Sequence, residues 1–363
     1  MRRTLTMAAA VAAALLLPAG PLPGAEAGGA AQAAVGRWSA REAQAFWTAE
    51  RMASAAPLPP AEPAPPAAGP SDPVVPPAPE AGPASPSTST PPPSTSTPPP
   101  SAPPAPVRRP AAVLPGVLPA PATPGVGQNF DGIPVVGRMF VVKGAGSYFC
   151  TASVVASPGR NLVLSAAHCL LGADTRRVAF VPRYTRANPQ PYGMFPVLRD
   201  AAGRSRIWID PRYRSRGPDR AAGLDVAFAQ VGPNAAGVPV QSVVGGNRLV
   251  TGAGYAHPQV TLIGHPSSAA RPRRCVNRTT KFTSRDARIP GSFLRIDCTG
   301  YPGGTSGGPF LVRYDARTRT GDVVGVIGGW KTGGDTADTS YSSYFGSDIR
   351  KLYAKAVAGA KAG

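Results

Sequence analysis

The stretch Tyr301-Pro-Gly-Gly-Thr-Ser-Gly-Gly-Pro309 sets one serine among four glycines. A nucleophilic hydroxyl must stand exposed on a tight turn. It also needs nearby backbone N–H groups that can bind the oxyanion formed when it attacks a carbonyl. Glycines allow the φ values such a turn demands and let a substrate backbone come close. Alone, the segment is only a glycine-rich loop. It gains meaning from Leu164-Ser-Ala-Ala-His-Cys169, where an apolar run ends on a histidine. It gains more from Gly223-Leu-Asp-Val-Ala-Phe-Ala-Gln-Val231, where one carboxylate sits in a strand-like apolar run. A buried carboxylate that holds an imidazole in the right tautomer is what a serine nucleophile requires. His168, Asp225 and Ser306 are therefore the candidate catalytic residues.

Chain order tests the competing arrangements. Gly304-Thr-Ser-Gly-Gly308 also fits the nucleophile elbow of α/β-hydrolases, which place their histidine after the serine. The three histidines, His168, His257 and His265, all precede Ser306, so that reading fails. A subtilisin-like order needs an aspartate before the histidine. Only Asp72, in a Pro-rich segment, and Asp131, at the edge of the folded region, precede His168. Asp210 and Asp219 compete with Asp225 for the carboxylate role, but they lie in an Arg- and Pro-rich stretch, 210–220, that reads as an exposed loop. His257 and His265 each precede proline and read as structural or surface residues.

The order His, Asp, Ser resembles the chymotrypsin/trypsin superfamily, in its bacterial secreted form. The segments Phe149-Cys-Thr-Ala-Ser-Val-Val155, Ala166-Ala-His-Cys169, Leu224-Asp-Val-Ala227 and Thr305-Ser-Gly-Gly-Pro309 occur in the family's order, and the likeness covers roughly residues 130–357. The resemblance implies an all-β fold of two six-stranded antiparallel barrels closed by a C-terminal helix. His168 and Asp225 would come from the first barrel and Ser306 from the second. It implies a serine endopeptidase that forms an acyl-enzyme, with the Gly304 and Ser306 N–H groups as oxyanion donors and no metal or cofactor. Four cysteines allow three pairings. The resemblance implies Cys150–Cys169, the family's histidine-loop bridge, which leaves Cys275 with Cys298. Two other readings share the fold or the chemistry: a binding or scaffold protein without activity, and an esterase.

Two departures from the family pattern bear on function. Thr305 stands where the animal digestive enzymes carry an aspartate that pairs with a newly released N-terminus. Gly300 stands where trypsin carries its specificity aspartate, so a Lys/Arg preference is not supported. Ile327 replaces the histidine of glutamate-specific relatives. Trp330, Asp335 and Asp338 are candidates to shape the pocket, and the cleavage preference stays open.

Short Val- and Gly-rich runs separated by turns extend from Val135–Val142 to Val323–Ile327, an all-β spacing. After Ser347, apolar residues at Ile349, Leu352, Tyr353, Ala356 and Val357 predict a closing helix. Before the folded region, residues 1–27 read as a secretory signal: Arg2 and Arg3, an apolar run too short for a membrane span, and a small-residue site. Residues 28–56 read as a short pro-segment in which Ser39-Ala-Arg-Glu42 is a capping-box pattern opening a helix to about Ala53. That helix either docks on the protease or stays isolated and marginal. Residues 57–125 read as a disordered Pro/Ser/Thr-rich linker with the tandem repeat Ser87–Pro93 and Ser94–Pro100, and residues 126–363 as the peptidase domain. An active fragment starting between about Pro115 and Ile133 is expected.

A formal net charge of +19 permits an anionic surface polymer as partner. The chain has no nucleic-acid motif and no aromatic interleaving, so the basic run from Arg271 to Arg288 reads as a solvated surface. The expected setting is extracellular, free or associated with the cell wall, and the expected partner is a protein or peptide substrate.

Overall fold

The computed structural model describes residues 38–59, 123–172 and 176–361. The expected signal peptide and residues 60–122 of the expected linker lie outside them. The pro-segment, hereafter the leader, does not form one helix. It forms α1 (Ala40–Phe46) and α2 (Ala49–Ser54), broken at Trp47 and Thr48, followed by the two-residue strand β1 (Ala56–Pro57). The capping box is present: the Ser39 hydroxyl accepts the Glu42 N–H, and the Glu42 carboxylate accepts the Ser39 N–H. The break follows from a second cap, since the Thr48 hydroxyl accepts the Arg51 N–H and starts a new helix.

After β2 (Gln128–Asn129) the first sheet is built from β3 (Val136–Lys143), β4 (Gly146–Val155), β5 (Leu162–Ser165), β6 (Arg176–Pro182), β7 (Phe195–Pro196), β8 (Ile207–Ile209) and β9 (Ala227–Gln230). The order is β7-β6-β3-β4-β5-β9-β8, with β1 added beside β4. Leu198 N–H donates to Gln230 O and Arg206 N–H donates to Leu198 O, which returns the chain after β7 to β9 and β8 and closes the barrel. Its interior holds Met139, Val141, Val163, Phe180 and Phe195 among others. The helix α3 (Ala167–Leu170) follows β5. The stretch expected as an exposed loop is instead α4 (Pro211–Arg220), kinked at Gly217, where φ is 80°. Asp210 caps α4 and pairs with Arg212, and Tyr213 is wholly buried in the core of the first barrel.

A short helix α5 (Val240–Val244) leads to the second sheet: β10 (Arg248–Leu249), β11 (His257–Gly264), β12 (Arg273–Thr283), β13 (Ser292–Asp297), β14 (Pro309–Asp315), β15 (Thr320–Val326) and β16 (Thr339–Ser343). The order is β10-β15-β14-β11-β12-β13-β16, with β2 beside β12. Gly328 N–H donating to Tyr341 O joins β15 to β16. Each barrel thus has six strands of three or more residues and two two-residue additions, the two-barrel fold expected from the sequence. The basic run read as solvated surface is the strand β12, buried at Cys275 and Thr279 and otherwise largely open to solvent. Disulfides join Cys150 to Cys169 and Cys275 to Cys298.

The barrels meet across Leu162, Leu164, Val226 and Phe228 from the first and Ile263, Leu311 and Val326 from the second. The C-terminal helix α6 (Ser347–Lys361) seals this seam with Ile349, Leu352, Ala356 and Ala360. It follows the second barrel but reaches the first: Tyr353 OH donates to Ala156 O, and the Gln230 amide donates to Ala360 O at 3.0 Å.

Candidate active site

The register of the first barrel decides where His168 and Asp225 lie. Ser165 on β5 stands opposite Ala227 on β9. The chain leaving β5 and the chain entering β9 therefore emerge at the same end, one carrying His168 and the other Asp225. The His168 Nδ1 and Asp225 Oδ2 are 2.8 Å apart, and the His168 backbone N–H donates to Asp225 Oδ1 at 2.9 Å. A carboxylate on Nδ1 fixes the ring with Nε2 toward the reaction side. A third bond comes from the other barrel: Gly329 N–H donates to Asp225 Oδ2 at 2.9 Å.

Asp225 is wholly buried and His168 is 4% exposed. Burial alone raises the Asp225 carboxyl. His168 beside it and the His168 and Gly329 N–H groups outweigh burial and hold it below the ordinary carboxylate range. Beneath it the Tyr213 phenol is pushed well above its usual value, first by burial and then by the Asp225 charge.

Ser306 belongs to the second barrel, on the turn that precedes β14. Its carbonyl accepts the Thr151 N–H at 2.8 Å. The next residue, Gly307, has a φ of 80°, and a Cβ there would overlap the Ser165 hydroxyl and the Thr151 carbonyl. Only glycine lets the Ser306 turn close onto the segment that leads to His168. Gly307 N–H donates to Ile327 O and Gly308 N–H to Thr305 O, while Thr305 N–H points back to Pro302 O. Among the described residues no backbone carbonyl accepts from Gly304 or Ser306. Gly304 has a φ of 93°, and a Cβ there would lie 2.6 Å from the Phe149 ring and 2.8 Å from His265 O.

Thr305 is buried, and its hydroxyl donates to Pro302 O at 2.8 Å. A neutral bond within the turn thus engages the Thr305 side chain. The Thr151 hydroxyl donates to Gly304 O at 2.9 Å and accepts the His265 N–H at 2.8 Å. Thr151, Tyr213 and Gly329 are contributors that the sequence reading did not single out. Thr151 lay inside a quoted motif, Tyr213 was hidden among arginines, and Gly329 acts through its backbone alone.

The other expected residues fall as follows. His265 is 1% exposed and kept neutral by burial and by Arg138, far below its ordinary titration. His257 is half-buried at the start of β11. Gly300 N–H donates to Asp338 Oδ1 at 3.1 Å, and Asp335 is paired with Lys331. Trp330 lies against Phe282 and Tyr341, with ring centroids 5.1 and 4.6 Å away. The Cys150 and Cys169 sulfurs lie close to the His168 ring, but their disulfide leaves no thiolate to bind a metal.

Residues 150–326 match the family model of the trypsin-like peptidase domain. The fold is that of bacterial proteases. The protease Anisep from Arthrobacter nicotinovorans is 23% identical, with a TM-score of 0.53 over 64% of this chain and 99% of that one. The thermostable serine protease AL20 from an extremophilic microorganism is 22% identical, with a TM-score of 0.51 over 62% of this chain and 97% of that one. No curated protein matches the chain. The matched segment is just under half of the chain, and at 22–23% identity the solved proteases are similar to this chain in fold alone.

Proposed function

We propose that the protein is an exported serine endopeptidase working through His168, Asp225 and Ser306. The buried His168–Asp225 pair carries this reading, because a carboxylate bonded to Nδ1 and enclosed from water prepares an imidazole to accept a proton at Nε2. In the reaction Ser306 Oγ attacks the peptide carbonyl carbon and its proton passes to His168 Nε2. The carbonyl oxygen becomes an oxyanion held by the Gly304 and Ser306 N–H groups. His168 then protonates the leaving amine, the C–N bond breaks and an acyl-enzyme remains. Water, deprotonated by His168, attacks the ester and releases the acid and Ser306. No step calls on a metal or cofactor.

Export is supported by the signal-like sequence of residues 1–27 and by two disulfides, which form and persist in oxidising surroundings. No helix among the described residues is long and apolar enough to cross a membrane. The decisive test is a fluorophosphonate probe on the purified full chain. Labelling should appear in the native protein and vanish in Ser306→Ala. A native protein left unlabelled, or a Ser306→Ala variant still labelled, would overturn the assignment.

A further inference from the structure

The first barrel has an apolar face outside its core. Phe140, Phe149, Val181 and Tyr184 belong to a cluster separate from the barrel interior, and what covers them is the leader. Trp47 and Met52 are wholly buried there. The Trp47 ring lies 5.3 Å from Phe140, and its indole N–H donates to Arg177 O at 2.7 Å. Helices of seven and six residues do not persist alone in water, so their order comes from this docking.

The leader also reaches the site. Leu58 N–H donates to Phe149 O at 3.2 Å, extending the pairing of β1 with the edge of β4. A Cβ on Gly303 would lie 3.2 Å from Pro57 Cβ, so Pro57 stands directly against the turn that carries Gly304. The Phe149 ring, covered from outside through Phe140, supports the same turn from below, against Gly304.

We infer that residues 38–58 are a retained part of the working protein. They form an internal ligand of the first barrel that stays docked after the Pro-rich linker is cut, and they brace the oxyanion turn. The docking contacts described above are made by residues 38–58 themselves, so a cut within 60–122 leaves these contacts in place and costs the advantage of tethering. The bracing half of this inference rests on the peptidase reading; the docking half does not.

The test uses the full chain with a specific protease site inserted between Ser87 and Pro100. After cleavage, gel filtration and intact-mass measurement should find the leader fragment eluting with the domain in native buffer and leaving it in denaturant. A leader that elutes separately in native buffer overturns retention. Trp47→Ala in the nicked protein should release the leader, and kcat should then fall by about ten- to a hundredfold with KM little changed, as expected when a reacting geometry slips. Leu58→Pro, which removes one N–H and leaves Trp47 in place, should lower kcat in the uncut chain. A stripped domain as active as the parent, or more active, overturns the brace and makes the leader a passive or inhibitory cover. If neither the intact nor the nicked chain labels with the serine probe, the peptidase reading fails while the elution result still decides retention.

Discussion

At the scale of single residues the site is a small set of donors aimed at one carboxylate and one turn. Ser306→Ala or His168→Ala should lower kcat by about 10⁴- to 10⁶-fold. Asp225→Asn should cost about 10⁴-fold with the fold intact, because the wrong histidine tautomer is favoured. Steady-state kinetics and circular dichroism on the purified variants check both, and a comparable loss in Asp210→Asn or Asp219→Asn would move the carboxylate role. His265 gives a pH signature. Its folded titration lies well below its ordinary value because it is buried and faces Arg138, itself pushed down to about 10, chiefly by burial. A group with a depressed folded pKa binds protons more readily when unfolded. Its penalty is absent above about pH 6.5 and grows as pH falls from there toward the folded value. Unfolding free energy should decline on acidification from near pH 6.5, by up to about 1.4 kcal/mol for each pH unit for this one group. His265→Gln should flatten that part of the curve in denaturant titrations at several pH values; an unchanged slope would contradict the assignment.

At the scale of elements, α6 shows how position along the chain and position in space diverge. Leu352 is 5% exposed in the seam between the barrels. Leu352→Ala should cost about 2–5 kcal/mol in urea unfolding, and a loss under 1 kcal/mol would mean that the helix is not the seal described. The closing helix was legible because its apolar residues recur at helical spacing. The runs that became β3, β5, β6, β11 and β14 were legible because they are dense in Val, Ile, Leu and Phe. β12 was not, because its residues are Arg, Thr, Lys and Asn and it is buried at only two positions. β16 escaped for the same reason: its three serines are buried by pairing with β13, not by their own hydrophobicity. α4 hid behind a glycine and two prolines, which suggest a loop until Asp210 is seen capping the first turn and Gly217 taking up the kink. Within the site, the candidate catalytic side chains were named from motifs. The backbone donor Gly329 lies over one hundred residues from its acceptor, and no local pattern signals it.

At the scale of the whole molecule, the folded unit begins earlier than the far end of the expected range. Gly125 N–H donates to Asp297 O, Thr299 N–H to Gly125 O, and β2 pairs with β12. With the leader kept, deleting 123–130 should lower the melting temperature by at least about 3 °C, the size expected for the loss of roughly 1 kcal/mol in a domain of this length. An unchanged midpoint in calorimetry would show that these pairings carry no net stability. The Gly329–Asp225 bond has a further consequence. It joins the carboxylate of one barrel to the backbone of the other, so His168 is held in register by the seam as well as by its own barrel. Heat that loosens the seam will therefore silence the enzyme while both barrels are still intact, and turnover becomes a thermometer of how the two halves are joined, failing at a lower temperature than either half melts.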